Sequence, residues 1–355
     1  MADINSPDFN PGGIPDRVDH RDHQWSEVGF GSSSFDWSVG YDGEKEVANA
    51  IGNPSFKFPV KDQDGSGSCG GQAWAYYAAA LEALATKTFE ERSAKFIYSQ
   101  TYVPGGGSYG RDNCDVFVKQ GVAREGVLVS YELGAPPSEA FMERSVDITE
   151  DVRKDAALSK ASSYANVPSV IDAIAQAMRD NNGLVLGVHG QNNGTWTSTY
   201  PKPPTAREWG HWIYACKARM VDGVKQIGFI NSWGSGIGEG GWQWLTEDWF
   251  TKTIDGYPVI FSVWTQVFNP TPIPPTFHHV FNTDLQLYMS GSEVVALQKA
   301  LQLDGTFPIS VPPTGYYGNI TKTAVTKFQV KYAITPSIGR CGPKTRAKLN
   351  ELYGK

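Results

Sequence analysis

A cysteine stands where a glycine- and serine-rich segment gives way to alanines and aromatic residues. Cys69 lies in the stretch KDQDGSGSCGGQAWAYY, residues 61–77. The start of a helix lowers the pKa of a thiol, because free N–H groups and the positive end of the dipole face the sulfur. The flanking glycines would let a substrate approach the backbone closely. Two interpretations stay open from this placement alone: a catalytic nucleophile, or an inert thiol in a capping loop.

A nucleophilic thiol needs a base, a group that orients the base, and donors for the developing oxyanion. His211 follows a glycine and precedes an alternating apolar run, and Asn231 ends a second apolar run. If these runs pair as a hairpin, the two side chains lie on neighbouring strands, where the Asn oxygen can accept the imidazole N–H. A lone histidine is more often structural, so the prediction depends on this pairing.

Three blocks in chain order resemble the papain-like cysteine peptidases: PVKDQDGSGSC with AWAYYAAALEA, then GHW, then NSWGSGIGEGGW. Gln63 stands six residues before Cys69, as in the family pattern. SFDW at 34–37 resembles the start of the mature enzyme, so the resemblance covers residues 35–268. It implies an α+β, papain-like fold with a helical left lobe and an antiparallel, barrel-like right lobe.

The resemblance also implies acyl transfer through a thioester, without a metal or cofactor. Cys69 is the expected nucleophile, His211 the general base and acid, and Asn231 the residue that orients the imidazole. Gln63 is expected to donate to the oxyanion together with the Cys69 backbone N–H, and Trp233 to shield the His–Asn hydrogen bond from water. Candidate substrate-groove residues are Gly105, Gly106 and Gly107, which resemble the family's glycine pair, and Trp209, Gly210 and Trp212 beside the base.

The sequence departs from the family pattern around the cysteine. The family signature is Cys-Gly-Ser-Cys-Trp, whereas this chain has SCGGQAW. A rival register would place Gln72 at the nucleophile position and make the domain inactive. Glu82 fits that register, whereas the spacing of Gln63 favours Cys69. Ser66 stands where relatives carry a disulfide cysteine, so the resemblance implies that this bridge is absent.

Composition and periodicity place these motifs in a globular domain. With 355 residues, 40% of them hydrophobic and 19% charged, the chain can bury one large core and a second small one. Helices are predicted over 71–86 and 168–182, and the runs IYACKAR and KQIGFINSW are predicted to pair as strands. Residues 1–55 are predicted to form an irregular extension. Residues 1–34 are too few for the family's long inhibitory propeptide, but they could wrap the domain or cover the groove.

Four prolines within NPTPIPPTFHH, residues 269–279, predict an extended linker between two domains. The predicted organisation is an N-terminal extension at 1–34, a peptidase domain at 35–268, this linker, and a second domain at 280–355. From Val280 onward nine Lys and Arg face four Asp and Glu, a balance of +5 within a total of −6. The preceding part therefore carries −11, and the basic tail suits an anionic surface.

The tail resembles the peptidoglycan-binding three-helix module. The blocks SGSEVVALQKALQLDG, PPTGYYGNITKTAVTKFQVKY and SIGRCGPKTRAKLNELYG carry its spacing over residues 280–353. Residues at helical spacing are predicted to form its core, namely Val294, Leu297, Leu301, Ala324, Val325 and Phe328. Candidate peptidoglycan contacts, which could equally serve as turn or N-cap residues, are Tyr316, Tyr317, Gly318 and Thr321.

Two histidine pairs could suggest a metal site, His20 with His23 and His278 with His279. Neither pair has cysteines or an acidic cluster at ligand spacing nearby, so surface or turn roles are expected and a metal is not.

Four scattered cysteines form no disulfide framework, and Cys114 and Cys216 are predicted to be buried in a helix and a strand. No apolar stretch reaches the length of a membrane span, and no signal peptide is visible. We expect a monomer that binds no nucleic acid and is secreted or wall-associated, recorded without its leader.

Three functions stay open. The first is a cysteine endopeptidase, held at a bacterial surface by the tail, that cuts proteins or peptides. The second is a wall hydrolase that cuts peptide bonds in peptidoglycan, and the third is an inactive peptidase-like protein that binds the wall. The Asn-Ser-Trp-Gly block favours the first, because wall hydrolases with Cys–His sites usually have smaller folds that lack it.

Overall fold

The computed structural model of the chain describes residues 11–17, 19, 22, 24–25, 34–131, 137–267, 279–308 and 313–354. The chain divides into two compact units, Met1–Pro270 and Thr271–Lys355. The division falls within the predicted linker, of which only residue 279 is described. In the part of the chain that the structure describes, no helix is long and apolar enough to cross a membrane.

The first unit combines helices with a large sheet. Its helices are α1 (Gly43–Ala50), α2 (Cys69–Thr86), α3 (Ala94–Thr101), α4 (Gly110–Lys119), α5 (Glu139–Met142), α6 (Glu150–Ala156), α7 (Ile171–Asp180) and α8 (Asp248–Thr251). Its strands are β1 (Gly13–Ile14), β2 (Tyr41–Asp42), β3 (Ser108–Tyr109), β4 (Ser163–Asn166), β5 (Leu184–Gly190), β6 (Trp209–Val221), β7 (Val224–Ile230), β8 (Trp242–Thr246), β9 (Thr253–Ile254), β10 (Tyr257–Pro258) and β11 (Ile260–Val267).

Helix α2 is the central helix of the first unit, and fourteen of its eighteen residues are buried. A helix that is apolar on all sides belongs inside a domain; α2 packs against α1, α3 and α4 and against strand β6. It ends where Lys87 adopts a left-handed conformation with φ of 64°. The predicted helix is confirmed, and it starts two residues earlier than expected, so Cys69 is its first residue.

The sheet has seven strands among the described residues, in the order β4-β11-β5-β6-β7-β8, with β2 paired to β6. Neighbouring strands are antiparallel, and Tyr214 pairs with Ile230 in the predicted β6–β7 hairpin, which is confirmed. Because successive side chains of a strand point to opposite faces, β6 contributes to two cores. Trp212 belongs to the core shared with α2, and Trp209 to the core on the other face.

Other sequence predictions for the first unit have mixed outcomes. Helix α7 confirms the helix predicted over 168–182, and the buried Cys114 and Cys216 lie in α4 and β6 as predicted. The prediction of an irregular segment over residues 1–55 is wrong for helix α1. Its N-cap, Asp42, accepts a hydrogen bond from the Lys45 N–H and so stabilises the first turn.

Among its described residues the second unit contains three helices, α9 (Ser292–Leu303), α10 (Asn319–Lys331) and α11 (Pro343–Tyr353). The predicted core is confirmed, because each of its residues is buried, namely Val294, Leu297, Leu301, Ala324, Val325 and Phe328.

A buried glutamine of α9 closes the turn that precedes α10. Gln298 accepts a hydrogen bond from the Gly315 N–H at 2.9 Å. Its amide donates to the Tyr316 carbonyl at 3.0 Å and to the Thr321 hydroxyl at 2.9 Å. One side chain therefore ties together a glycine with positive φ, the turn and the first residues of the next helix.

The same arrangement recurs one helix later. Gln329 of α10 accepts from the Gly339 N–H at 2.9 Å and donates to the Arg340 carbonyl at 2.7 Å and the Thr345 hydroxyl at 2.9 Å. The glycine again has positive φ, and glycine and threonine are again six residues apart. The second unit is thus built from a repeated connection of glutamine, glycine turn and threonine.

Removal of one of these glutamines should destabilise the second unit and leave the stability of the first unit unchanged. Replacing Gln298 by alanine leaves buried polar groups of the turn without partners, so the free energy of unfolding should fall by about 2–3 kcal/mol. All eleven tryptophans lie in the first unit, so guanidinium unfolding followed by far-UV circular dichroism should show an earlier transition that tryptophan fluorescence does not share. The exposed Gln286→Ala is the matched control, and equal effects of both substitutions would contradict the prediction.

Candidate active site

Cys69 lies where the helical half of the first unit meets the sheet. It is the first residue of α2, and its side chain is fully buried. The Trp212 backbone N–H of β6 donates to the Cys69 sulfur at 3.4 Å. The sulfur therefore lies beside the strand that carries His211, at the positive end of a long helix.

His211 lies near the start of β6, and Asn231 directly follows β7, the strand that pairs with β6, as predicted. His211 Nε2 lies 2.9 Å from Asn231 Oδ1. Two contacts fix the Asn231 amide: its nitrogen donates to Gln243 Oε1 at 2.7 Å, and its oxygen accepts from the Ser232 N–H at 2.8 Å. Because Oδ1 is an acceptor, Nε2 carries the proton, and Nδ1 of the neutral ring is left as a base. Gln243 was not found from the sequence.

An aromatic shell surrounds the imidazole. Trp233 stacks on the His211 ring with a centroid distance of 4.4 Å and an interplanar angle of 20°. Trp196 and Trp209 meet the same ring edge-on at 6.3 and 6.4 Å. These indoles keep water from the His–Asn hydrogen bond, which strengthens it. Trp196 was missed in the sequence because it lies outside every motif.

Two hydrogen-bond donors converge on one carbonyl oxygen. Gln63 Nε2 donates to the Pro11 carbonyl at 3.0 Å, and the Cys69 backbone N–H donates to the same oxygen at 3.4 Å. The Gln63 amide is oriented by the Ser232 hydroxyl, which donates to its Oε1 at 2.7 Å. The pair of donors predicted for an oxyanion is therefore assembled, and it holds a peptide carbonyl of the chain itself.

The segment that supplies this carbonyl runs through the cleft. Strand β1 pairs in parallel with β3, and the Ser108 N–H donates to the Gly12 carbonyl at 2.9 Å. A Cβ added at Gly12 would lie 1.9 Å from the Gly67 carbonyl oxygen, and one at Gly13 would lie 2.4 Å from the His211 backbone nitrogen. Only residues without side chains fit this path. The short N-terminal extension allowed for a covered groove, but the sequence does not indicate which of its residues cover it.

Side chains fasten the same segment beyond the cleft. Asp16 accepts from the Arg111 backbone N–H at 3.0 Å and from the Trp264 indole at 2.9 Å. The Arg111 guanidinium also donates to the Asp22 carboxylate, with an N–O distance of 2.8 Å for its Nε. The segment is thus bound both by backbone contacts inside the cleft and by charged groups outside it.

The covered site disfavours charge. Burial raises the pKa of the Cys69 thiol, although the Trp212 N–H acts in the opposite direction. Burial lowers the pKa of His211 to about 3, although its bond to Asn231 acts in the opposite direction. At neutral pH the covered site therefore holds a thiol and a neutral imidazole.

The candidate groove residues divide into three groups. Gly107 and Gly210 contact the segment, since a Cβ at either would lie within 2.4 Å of a carbonyl oxygen of Gly12 or Gly13. Gly105 and Gly106 have positive φ; a Cβ added at Gly105 would meet no atom within 4 Å, and one at Gly106 would lie 3.8 Å from a Glu139 carboxylate oxygen. The prediction that the side chains of Trp209 and Trp212 line an open groove is wrong for this structure, because both are core residues, with 6% and 1% exposure.

The rival register does not bring Gln72 to the site. Gln72 is buried in the first turns of α2, where its amide donates to the Ser68 hydroxyl at 3.3 Å. Glu82 lies farther along the same helix and forms an ion pair with Arg92, which follows the helix. Cys69, not Gln72, accepts the hydrogen bond from the Trp212 N–H, next to His211 on β6.

Two of the four candidate peptidoglycan contacts are buried, which corrects the prediction for them. Tyr317 is fully buried and donates to the Gly339 carbonyl at 3.0 Å, and Thr321 is 1% exposed and bonded to Gln298. Tyr316 is 49% exposed, and Gly318 is the N-cap of α10. The second turn of the repeat borders a groove of about 530 Å³, lined by Asp284, Gln329, Ile334, Thr335, Pro336, Ile338, Arg340, Gly342, Pro343, Lys344 and Thr345.

Among the described residues no group of three or more His, Cys, Asp or Glu is arranged to hold a metal ion. His20, His23 and His278 lie outside the described residues, and His279 lies 3.1 Å from a Glu293 oxygen. All four cysteines are free.

Comparison with known proteins supports both resemblances. Residues 290–349 match the family described as "Putative peptidoglycan binding domain". No curated protein sequence matches the chain.

Solved structures of cysteine proteases are similar to the first unit. Xylellain, a cysteine protease from Xylella fastidiosa, has 22% identity and a TM-score of 0.54, over 73% of this chain and 96% of that one. Procathepsin B S9 from Trypanosoma congolense has 12% identity and a TM-score of 0.52, over 72% and 82%. Digestive procathepsin L 3 from Tenebrio molitor larval midgut has 13% identity and a TM-score of 0.51, over 73% and 76%. The first unit therefore has the papain-like cysteine protease fold, the helical second unit matches the peptidoglycan-binding family, and the predicted fold class is confirmed.

Because covering the site lowers the pKa of His211, the accessibility of the Cys69 thiol to an alkylating reagent should depend on pH. An uncovered imidazole titrates near 6.5, whereas the covered one titrates at about 3, so the uncovered form binds more protons between these values. Covering should therefore be strongest above pH 6.5 and weaken as pH falls toward 3, by at most about 1.4 kcal/mol per unit. In a Gly12→Val chain the added side chain would collide with Gly67 and uncover the site. Relative to that chain, the alkylation rate of Cys69 should rise by about 5-fold between pH 6.5 and 5.5.

Asp16 provides the control for this measurement. Burial raises the pKa of Asp16, so its titration strengthens covering as pH falls and opposes the effect of His211. An Asp16→Asn chain should keep the rise in relative alkylation rate, or increase it. A relative rate that does not change with pH in either chain would contradict the assignment.

Proposed function

We propose that the first unit is a cysteine peptidase that hydrolyses peptide bonds through Cys69, His211, Asn231 and Gln63. The single observation that carries the proposal is the position of the Pro11 carbonyl. It is an amide carbonyl held by the two donors that an oxyanion would need, next to a thiol at a helix start. The His211–Asn231 pair leaves a basic nitrogen on the imidazole, and the strand that carries this ring contacts the thiol.

The reaction proceeds by acyl transfer. Nδ1 of His211 takes the thiol proton, and the Cys69 sulfur attacks the substrate carbonyl carbon. The Gln63 amide and the Cys69 N–H bind the oxygen as it gains negative charge, a contribution of about 3–4 kcal/mol per donor. Collapse breaks the C–N bond, and His211 gives its proton to the leaving amine. Water, deprotonated by the same nitrogen, then cleaves the thioester and restores the thiol.

The form described by the structure is a resting form. A substrate carbonyl and the Pro11 carbonyl would compete for the same two donors, and burial keeps both Cys69 and His211 neutral. Hydrolysis therefore requires residues 11–14 to leave the cleft. No catalytic atom is supplied by these residues, so their displacement opens the site and leaves every proposed catalytic group in place.

A substitution that expels the segment should raise activity. Gly12→Val adds a side chain that collides with the Gly67 carbonyl, at a position with φ of +93°. If the substitution weakens docking of residues 11–14 in the cleft by about 1.4 kcal/mol or more, kcat/KM for a fluorogenic peptide should rise by about 10-fold or more. In this background, Cys69→Ala should abolish turnover, and Gln63→Ala should lower kcat by about 10²- to 10³-fold.

Gly126→Ala is the matched control, since no atom lies within 4 Å of its added Cβ. An epoxysuccinyl inhibitor should modify Cys69 in the Gly12→Val chain, as mapped by mass spectrometry. Turnover that persists in Cys69→Ala, or the absence of both turnover and modification in the opened chain, would contradict a cysteine peptidase.

The second unit is proposed to hold the enzyme on peptidoglycan at the cell wall of a bacterium. The family match at residues 290–349 and the basic balance of the tail support this. The match also favours a second candidate substrate, the peptides of the wall itself. Turnover of casein and release of soluble fragments from purified sacculi by the opened chain distinguish the two substrates.

Exposed residues of the first turn are the proposed wall contacts. Tyr316→Ala should weaken binding of the full chain to purified sacculi by about 10-fold, as expected for an aromatic contact worth about 1.4 kcal/mol. The control is Tyr257→Ala, which removes a tyrosine that is 61% exposed in the first unit. If Ile338→Ser weakens sedimentation with sacculi while Tyr316→Ala does not, the contact lies in the groove of the second turn instead.

A further inference from the structure

Two loops form opposite sides of the cleft around the bound segment. The first, residues 63–68, carries Gln63 and leads into Cys69, and is called the oxyanion loop. The second, residues 103–108, contains the three glycines and is called the glycine loop. A Cβ added at Gly67 would lie 2.7 Å from the Gly107 nitrogen, so the two backbones are in close contact. All four cysteines are free, so no disulfide joins these loops.

A carboxylate from a third segment bonds to both sides of this contact. Glu139 is the first residue of the short helix α5. Its Oε2 accepts from the Gly67 backbone N–H at 2.5 Å, and its Oε1 accepts from the Tyr98 hydroxyl. The Tyr98 oxygen in turn accepts from the Gly107 backbone N–H at 2.8 Å. This series of hydrogen bonds, from Gly67 through Glu139 and Tyr98 to Gly107, thus connects the oxyanion loop to the glycine loop.

The donor and acceptor roles in this series of hydrogen bonds are fixed by the surroundings of Tyr98 and Glu139. Burial and the bond to Glu139 raise the pKa of the Tyr98 phenol, so it remains a donor to the carboxylate. Met142 of α5 is fully buried in a cluster with Tyr98, which holds the helix and its carboxylate in place. Ser66 bonds within its own loop, to the Gln63 carbonyl and the Ser68 hydroxyl, and does not connect the loops.

We propose that Glu139 is a positioning residue of the hydrolytic site, whose carboxylate, with Tyr98, sets the separation of the oxyanion loop and the glycine loop. The proposal rests on the proposed peptidase function. Gly67 is two residues before Cys69 and four after Gln63, so a shift of Gly67 moves both oxyanion donors. Glu139 does not touch the reacting atoms, and its effect on rate passes through this loop.

Loss of the carboxylate should therefore reduce kcat more than it raises KM. In the full-length Gly12→Val chain, Glu139→Ala should lower kcat on the order of 10²-fold, the effect of a misplacement of about 1 Å. Glu139→Gln keeps an acceptor for the Gly67 N–H and should recover most of the loss. Tyr98→Phe removes the other half of the connection, so the Glu139→Ala/Tyr98→Phe chain should be no slower than the slower single variant.

Ser138→Ala is the matched structural control. It removes the N-cap of α5, whose hydroxyl accepts from the Phe141 N–H, and leaves the carboxylate in place. It should reduce stability by about 1 kcal/mol with kcat unchanged. An equal fall in kcat for Ser138→Ala and Glu139→Ala, or no fall for Glu139→Ala, would overturn the proposal.

Hydrogen exchange tests the connection independently of activity. Glu139→Ala should speed exchange of the Gly107 amide by about 10-fold, a loss of about 1.4 kcal/mol in protection, although this amide bonds to Tyr98 and not to Glu139. Unchanged Gly107 exchange would overturn the connection between the loops. If the Gly12→Val chain hydrolyses no peptide, the peptidase function fails, and the role of Glu139 in positioning the site fails with it, while exchange still reports on the connection.

Discussion

The contact between the start of α2 and strand β6 determines the rest of the site. The Trp212 N–H reaches the Cys69 sulfur because the strand passes directly over the first turn of the helix. Below this point the Trp212 indole packs edge-on against Trp74, at 5.4 Å, and bonds to the Ser108 carbonyl. Because the buried tryptophan pair fixes the helix against the strand, the position of His211 is set by β6 and that of Asn231 by β7, its hairpin partner.

The occupied cleft explains how such a site can exist in a folded chain without being charged. A thiolate–imidazolium pair is favoured by polar surroundings, and burial under residues 11–14 removes them. The same segment satisfies the two donors that would otherwise be buried without acceptors. The covering segment and the groups of the candidate site are therefore complementary parts of one stable arrangement, and Trp233, stacked on the imidazole, adds to its burial.

Features that depend on periodicity or fixed spacing could be predicted from the sequence. The alanine-rich run gave helix α2, two alternating runs gave the β6–β7 hairpin, and apolar residues at helical spacing gave the core of the second unit. A motif does not state which of its members face solvent, so the buried Tyr317 and Thr321 were mistaken for ligand contacts, and the core residue Trp212 for a groove wall. The segment around Gly12 fits the cleft through its backbone and not through side chains, so the only sign of it in the sequence is a Pro-Gly-Gly run. Glu139 is distant in sequence from both loops that it joins, so only tertiary structure brings it there.

The doubled connection in the second unit has a consequence for its surface. Gln298 and Gln329 place a glycine, a carbonyl and a helix start in the same relation twice, so the module has an approximate internal symmetry. The module therefore contains two related turns, which are the corners at Gly315–Tyr316 and Gly339–Arg340. Side chains at those corners differ, with a tyrosine at 316 and an arginine at 340, so a shared scaffold offers an aromatic face and a cationic one.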